Sequence, residues 1–251
     1  MPQTTRRTFT REALGSILTF SLLETLGRHD LFAGEVKPIT TRWLAEVNQL
    51  GLDLKDQKLE QTQWQAKVEE LYAQVDLDEL LKLIDFNRLA GGAKLIDNGA
   101  LSLRFKFPEV EGVPRSLSFG KQIFALKKGR SVVPHGHNNM ATAFLILKGE
   151  LHGRHYDRIK DEEEHFLIKP TIDRKFGPGE CSTISDYKDN IHWFQAITEP
   201  SFIFNIHVNE VNRDNREPTG RLYLDPKGEQ LAGGLIRAPK LGYEEAHRRY
   251  G

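Results

Sequence analysis

Two histidines separated by one residue, His135 and His137, are the strongest chemical signal in the sequence. In a β-strand, residues i and i+2 point to the same face and lie about 6.6 Å apart along the chain. Two imidazole rings placed in this way can bind one metal ion from the same side. A pair of surface histidines produces the same spacing, so the motif has to be judged from its surroundings.

The glycines around this pair favour a metal site. Gly129 lies six residues before His135, and Gly149 lies twelve residues after His137, where turns would bracket a pair of strands. A third histidine, His192, comes after a Gly-Pro-Gly turn. This arrangement resembles the two cupin motifs, in which Gly, five residues and His-x-His are followed later by Pro-Gly-Glu and a further His. We therefore expect the three histidines to bind one metal ion.

The sequence departs from the usual cupin pattern at one ligand position. Cupins usually carry a glutamate four or five residues after the second histidine, and here those positions are Ala141 and Thr142. Neither side chain is a good ligand for a first-row metal ion. The sequence thus predicts a three-histidine site without a carboxylate. A barrel that has lost its metal is the alternative.

Three neutral imidazoles leave the charge of a divalent ion uncompensated and several coordination positions vacant. Such a centre favours an anionic, bidentate ligand, and a metal ion lowers the pKa of a bound thiol until it ionises. A thiolate with an amine or a carboxylate can fill two positions, and O2 a third. Iron suits this chemistry because zinc cannot donate electrons to oxygen. We therefore expect Fe(II) as the cofactor.

The chain also resembles the thiol dioxygenases, a cupin family that comprises cysteine dioxygenase, aminoethanethiol dioxygenase and the plant cysteine oxidases. The resemblance covers residues 100–225 and depends on segments 133–137, 144–152, 156–157, 190–194, 198–200 and 220–223. It implies that His135, His137 and His192 hold iron inside a barrel. It also implies that the protein oxidises a small thiol to its sulfinate with O2.

The same resemblance suggests roles for residues near the metal. Thr142 occupies the place where some members have a cysteine close to the iron, so we assign it to the substrate-binding side. Cysteine dioxygenases have a Ser-x-His-x-Tyr strand where this chain has Asn205, His207 and Asn209 on one face. His207 keeps the central position and can hydrogen-bond oxygen or a substrate group, with a packed barrel histidine as the alternative. The missing tyrosine argues against cysteine itself as the substrate.

A substrate carboxylate would require a cationic partner. Arg104 on the first predicted strand is our candidate, with Arg115 as the alternative. We expect His152 at the surface or just outside the ligand set, and His155 facing solvent. Single arginines and histidines are common on protein surfaces, so these assignments depend on where the fold places them.

The elements that would position these residues follow from the hydrophobic period. Residues 36–93 show helical spacing, and Asp76 or Asp78 can cap a third helix that runs to Leu89. From residue 101 the period changes to two. Strand-like runs follow at 117–126, 131–137, 141–148, 150–159, 164–169, 181–185, 191–197 and 201–209. Residues 221–224 are expected to add one edge strand.

This order predicts a mainly β fold, a cupin barrel of the double-stranded β-helix or jelly-roll type preceded by an α-helical segment. We place the helical segment at residues 34–95, the barrel at 96–225 and a charged C-terminal tail at 226–251. The zero net charge offers no electrostatic argument for a nucleic-acid partner. The single cysteine excludes both an intramolecular disulfide and a cysteine-based zinc site.

The first residues indicate export. Arg6 and Arg7 precede an apolar run at residues 13–23, which is too short to cross about 30 Å of hydrocarbon. Small residues follow near Ala33, so residues 1–33 read as a twin-arginine-type signal that directs the protein to the periplasm. An amphipathic first helix is the alternative. No other apolar run approaches the length of a membrane span, so we expect no transmembrane segment in the mature chain.

Three functions agree with this sequence. The first is an Fe(II) thiol dioxygenase that acts on a small-molecule thiol and O2. The second is a three-histidine oxygenase for another chelating substrate, such as a flavonol or a β-diketone. The third is a cupin that binds a metal or a ligand without turnover.

Overall fold

A computed structural model of the chain describes residues 39–110, 112–215 and 218–251. Four helices come first, at α1 Ile39–Lys55, α2 Gln61–Gln74, α3 Leu77–Leu83 and α4 Phe86–Gly91. The strands are β1 Leu101–Leu103, β2 Gly120–Leu126, β3 Ser131–Asn138, β4 Met140–Lys148, β5 Leu151–Asp161, β6 His165–Phe176, β7 Cys181–Ile184, β8 Ile191–Ala196, β9 Ser201–Asn209, β10 Gly220–Leu224, β11 Glu229–Gln230 and β12 Ile236–Leu241. Helix α5, Tyr243–Tyr250, follows them.

The strand pairing is nested. The antiparallel pairs are β2 with β9, β3 with β8, β4 with β7, and β5 with β6. Alternate pairs belong to two sheets, ordered β1-β2-β9-β4-β7 and β10-β3-β8-β5-β6-β12-β11. A ribbon of paired strands folded over in this way is a jelly roll, or double-stranded β-helix. The predicted fold class, a mainly β barrel preceded by helices, is confirmed.

The helices cover the outer face of the five-stranded sheet. Trp43 and Val47 of α1 and Trp64 of α2 are buried in one cluster with Ala143 and Leu145 of β4. The alternate β4 side chains, Thr142, Phe144 and Ile146, are also buried, and Phe144 and Ile146 belong to a second cluster on the other face. Strand alternation therefore places one face of β4 against the helices and the other inside the barrel.

The helical segment is divided differently from the prediction. Asp76 caps α3 as expected, because its carboxylate accepts a hydrogen bond from the backbone N–H of Glu79. The predicted third helix does not run continuously to Leu89. Asp85 has a left-handed backbone conformation with φ of 52°, which separates α3 from α4.

The C-terminal residues differ most from the prediction. Residues 226–251, predicted to be a charged tail, form β11, β12 and α5. Strand β10 is not an edge strand, because it pairs with β3 on one side and with β12 on the other. Only Ile236 and Ala238 of β12 are buried, and an apolar alternation of two residues is too short to recognise in the sequence.

Among the described residues, no helix is long and apolar enough to cross a membrane. The predicted export signal at residues 1–33 lies outside the described residues.

Candidate metal centre

The pairing of β3 with β8 brings the three predicted ligands together. His135 lies directly opposite His192, and His137 lies two residues further along β3 on the same face. The ring centroids are 4.2 Å apart for His135 and His192, 5.0 Å for His135 and His137, and 5.1 Å for His137 and His192. One potential ligand nitrogen of each ring lies within 4.8 Å of the others.

The hydrogen bonds of two rings leave their Nε2 atoms for a metal ion. The Nδ1 of His135 lies 2.7 Å from the carbonyl oxygen of Val133, so that nitrogen carries the proton and donates. The Nδ1 of His137 lies 3.2 Å from the hydroxyl of Thr142. The Nε2 of His137 is enclosed and has no hydrogen-bond partner among the described residues. A buried nitrogen without a partner calls for an explanation, and for Nε2 of His137, which faces the other two rings, a metal ion is one.

Burial keeps the rings neutral, which is the form that binds metal ions. It lowers the pKa of His135 to about 3, and the nearby Arg221 guanidinium acts in the same direction. Burial, then the charge of His135, lowers the pKa of both His137 and His192 well below the ordinary value. The three side chains therefore fit a divalent metal ion, and the chemistry of the donors does not identify which one.

The ligand set lacks a carboxylate, as predicted. Ala141 faces the helices and is fully buried in that cluster. Thr142 points into the barrel, where its hydroxyl contacts His137. Among the described residues, no aspartate or glutamate lines the cavity that the histidines open into.

This cavity is small and has one polar and one apolar side. Its volume is about 60 Å³, which leaves room for a few water molecules. Its lining residues are Gln122, Phe124, His135, His137, Met140, Thr142, Phe144, His192, Asn205, His207 and Arg221. A compound of a few heavy atoms fits such a space.

Three residues of β9 are expected to share an inward face, and two of them, Asn205 and His207, line the cavity. His207 lies opposite both Gly120 and Thr142, and it lines the cavity. Burial, together with Arg221, lowers its pKa. Asn205 is buried, and its Oδ1 accepts a hydrogen bond of 3.3 Å from Gln122. Asn209 is exposed at the end of the strand.

The arginine at the cavity is not the predicted one. Arg104 is exposed just after β1 and does not line the cavity, and Arg115 is exposed and pairs with Glu109 at 2.6 Å. Instead, Arg221 of β10, which is also exposed, lies opposite His137 and lines the cavity. The alternation of Arg221 with the more apolar Leu222 was the available sequence signal, but it does not show which strand lies next to β10.

A fourth histidine lies elsewhere than the sequence predicts. His155, expected to face solvent, is completely buried. Its ring lies 5.5 Å from Phe194 and 6.4 Å from Phe176, measured between centroids. His155 lies among Arg154, Tyr156 and Asp157, and no apolar alternation in this part of β5 indicates an inward position. His152, by contrast, is half-exposed and hydrogen-bonds Asp173.

Comparison with known proteins adds only distant likenesses. No family model matches the chain, and no curated protein matches it. A double-stranded β-helix protein from Klebsiella pneumoniae is 10% identical over 53% of this chain and 85% of its own, with a TM-score of 0.35. A cupin superfamily protein from Desulfitobacterium hafniense is 16% identical over 48% and 87%, with a TM-score of 0.32.

Procruciferin, the 11S globulin from Brassica napus, is 15% identical over 38% of this chain, with a TM-score of 0.31. The matched part spans about a fifth, 21%, of the globulin chain. Sequence identities and TM-scores this low do not support a conclusion about activity. By its own nested strand pairing, the chain has the cupin architecture, a double-stranded β-helix with three histidines turned inward.

Proposed function

We propose that this protein is an Fe(II)-dependent oxygenase that oxidises a small thiol to its sulfinate with O2. The observation that carries the proposal is the set of three buried, neutral imidazoles at a cavity with no acidic lining residue among those described. Such a ligand set keeps the full charge of the ion available for an anionic substrate. A thiolate is such an anion, and its sulfur can supply the electrons that reduce O2.

The proposed reaction balances without a further reductant. The thiol loses its proton, both atoms of O2 are transferred to sulfur, and sulfur supplies all the electrons as it becomes a sulfinate. Iron held by His135, His137 and His192 supplies the redox chemistry that allows O2 to react with a thiolate. The remaining lining residues bind and orient the substrate.

The polar side of the cavity supports a thiol that also carries a carboxylate. Among the described residues, no carboxylate lies within ion-pair distance of Arg221, so its guanidinium can accept a substrate anion. If His137 donates its Nδ1 proton to Thr142, the Thr142 hydroxyl proton is left to donate into the cavity. His207 is the third polar group on this side.

The apolar side excludes water from the reacting atoms. Phe124 and Phe144 line it, and Phe144 packs 4.9 Å from the His192 ring between centroids. A dry wall beside a charged centre strengthens the electrostatic attraction for a thiolate. The volume of about 60 Å³ fits a thiol group with a few heavy atoms attached.

The export of this protein is a second part of the proposal. The twin-arginine pair, Arg6 and Arg7, and the short apolar run at residues 13–23 support transport to the periplasm. Fusing residues 1–33 to a reporter tests the signal. Replacement of both arginines by lysine should keep the reporter in the cytoplasm.

The test of the activity is anaerobic reconstitution of the full chain with Fe(II), followed by oxygen uptake. The substrates compared are a mercaptocarboxylate, an aminothiol and an enolisable diketone, and mass spectrometry detects a product heavier by two oxygen atoms. We expect uptake with the mercaptocarboxylate and none with the His135→Ala variant. The proposal is contradicted if the iron-loaded protein consumes oxygen only with the diketone, or if it consumes none with any of the three substrates.

A further inference from the structure

Three histidines form a row across neighbouring strands inside the barrel. His192 of β8 lies directly opposite His135 of β3 on one side and His155 of β5 on the other. Residues paired in this way point to the same face of a sheet. His155 therefore lies beside a proposed iron ligand, although neither the sequence motifs nor the proposed reaction uses it.

His155 is not placed to be a fourth ligand. Its ring centroid lies 6.4 Å from that of His192, with the two ring planes nearly perpendicular at 71°. The close group of ligand nitrogens among the described residues contains only His135, His137 and His192. Whatever His155 does at the metal site, it does through His192.

Both rings have an enclosed nitrogen without a partner. The Nδ1 of His192 and the Nδ1 of His155 are buried and make no hydrogen bond with the described residues. A buried polar atom without a partner is unfavourable, so two such atoms on neighbouring rings call for an explanation. A ring nitrogen lies close to its centroid, so rings at this separation can bring two nitrogens within the roughly 5 to 6 Å that one bridging water spans.

The expected proton positions of the two rings are complementary. His192 lines the cavity while its Nδ1 is enclosed, so Nε2 is the nitrogen available to a metal and Nδ1 must carry the proton. The Nε2 of His155 lies 3.4 Å from the hydroxyl of Ser182. When that Nε2–H donates to the serine oxygen, Nδ1 of His155 keeps its lone pair and can accept.

We infer that His155 is a positioning residue, which accepts a hydrogen bond from the Nδ1–H of His192 through one buried water and so fixes the orientation and tautomer of that ligand. Partners of this kind orient metal-bound histidines and raise their basicity, and their removal lowers metal affinity by about 10- to 100-fold. The inference rests on the metal site of the proposed function. It does not depend on which substrate is oxidised.

Titration of the metal-free full chain with Co(II) tests this role without any turnover. His155→Phe removes the acceptor while keeping an aromatic ring, and it should raise the Kd by about 10- to 100-fold and shift the visible absorption bands of bound cobalt. His155→Gln keeps an acceptor and should recover most of the affinity. His152→Phe, the same substitution on the same strand at a half-exposed position, is the matched control and should bind like the wild type.

A wild-type Kd and an unchanged cobalt spectrum in His155→Phe would overturn the inference. Failure of the wild-type chain itself to bind Co(II) would overturn it as well, together with the metal site. The two proposals can also fail separately. If the variants bind Co(II) as expected but the iron form takes up no oxygen with any thiol, the thiol oxygenase is contradicted and the role of His155 is supported.

Nitrogen NMR of the unmodified protein provides a test that does not depend on whether the variants fold. The inference requires a proton on Nε2 of His155 and on Nδ1 of His192 in the metal-free chain. A proton on Nδ1 of His155 would make it a donor, unable to accept from His192, and would rule the arrangement out.

Discussion

Gly120 of β2 and His207 of β9 lie directly opposite each other, and the imidazole of His207 occupies the space that a Cβ at position 120 would need. Gly120 does not have a positive φ, so a side chain at this position is opposed by the His207 ring and not by the backbone. The ring is thereby held against β2, beside the proposed metal centre.

Gly120→Ala should therefore impair the reaction without removing the metal. The added methyl group overlaps Nε2 of His207, and a shift of about 1 Å in a substrate-positioning group can cost about 100-fold in rate. Oxygen uptake at saturating thiol, with iron content measured in parallel, checks this. Gly91→Ala, whose Cβ meets nothing within 4 Å, is the control. Wild-type turnover in Gly120→Ala would show that the position of His207 is immaterial.

Replacing a ligand should remove the metal while the barrel stays folded. His135→Ala and His192→Ala each leave two imidazoles, too few to hold a first-row ion at this site. Saturation with Fe(II) at 100 times the Kd stabilises a protein by about 2.7 kcal/mol. We expect that anaerobic Fe(II) raises the melting temperature of the wild type and not that of either variant. Full iron occupancy in either variant would refute the ligand assignment.

Substitutions of Arg221 and of Arg104 should differ in their effect on KM. Loss of a charged hydrogen bond costs about 1.5 to 3 kcal/mol, and solvent screening of the exposed Arg221 favours the low end, roughly 10-fold in affinity. Arg221→Met should raise KM by this factor for a thiol with a carboxylate, and should change KM little for an aminothiol. Arg104→Met should leave both values unchanged, since Arg104 does not line the cavity. Equal effects of Arg221→Met on both thiols would argue against carboxylate binding.

The metal-free protein should lose stability in mild acid. Burial lowers the pKa of His155 to about 3, whereas the unfolded chain has a value near 6.5. Between these values the unfolded chain binds the proton and the folded chain does not, so stability falls as the pH falls through this window. The slope is at most about 1.4 kcal/mol per pH unit for each such histidine.

Urea unfolding of the metal-free chain between pH 7 and pH 4 measures this slope. His155→Phe removes one of the contributing groups and should reduce the slope. Ile203→Val, a change in the same buried cluster, should lower the free energy of unfolding without altering its dependence on pH. An unchanged slope in His155→Phe would mean that this histidine does not titrate with folding.

Much of the barrel could be predicted because its signals are local. The eight strand runs between residues 117 and 209 correspond to β2 through β9, with ends shifted by a few residues and β6 extending further, to Phe176. Alternating apolar residues and the turns between them depend only on neighbours in the chain. The spacing of His135 and His137 within one strand is also a local signal. The turn before His192 is a second one, and it predicts the third ligand.

The amino-acid sequence by itself determined the period of each segment, the pair of histidines on one strand face and the absence of a carboxylate after it. Only the tertiary structure decided that Arg221 and not Arg104 lies at the cavity, that His155 is buried beside His192, and that residues 226–251 close the second sheet. The physical reason is that these three features depend on the register between strands distant in the chain. Register is set by how whole faces pack together, and no local pattern records it.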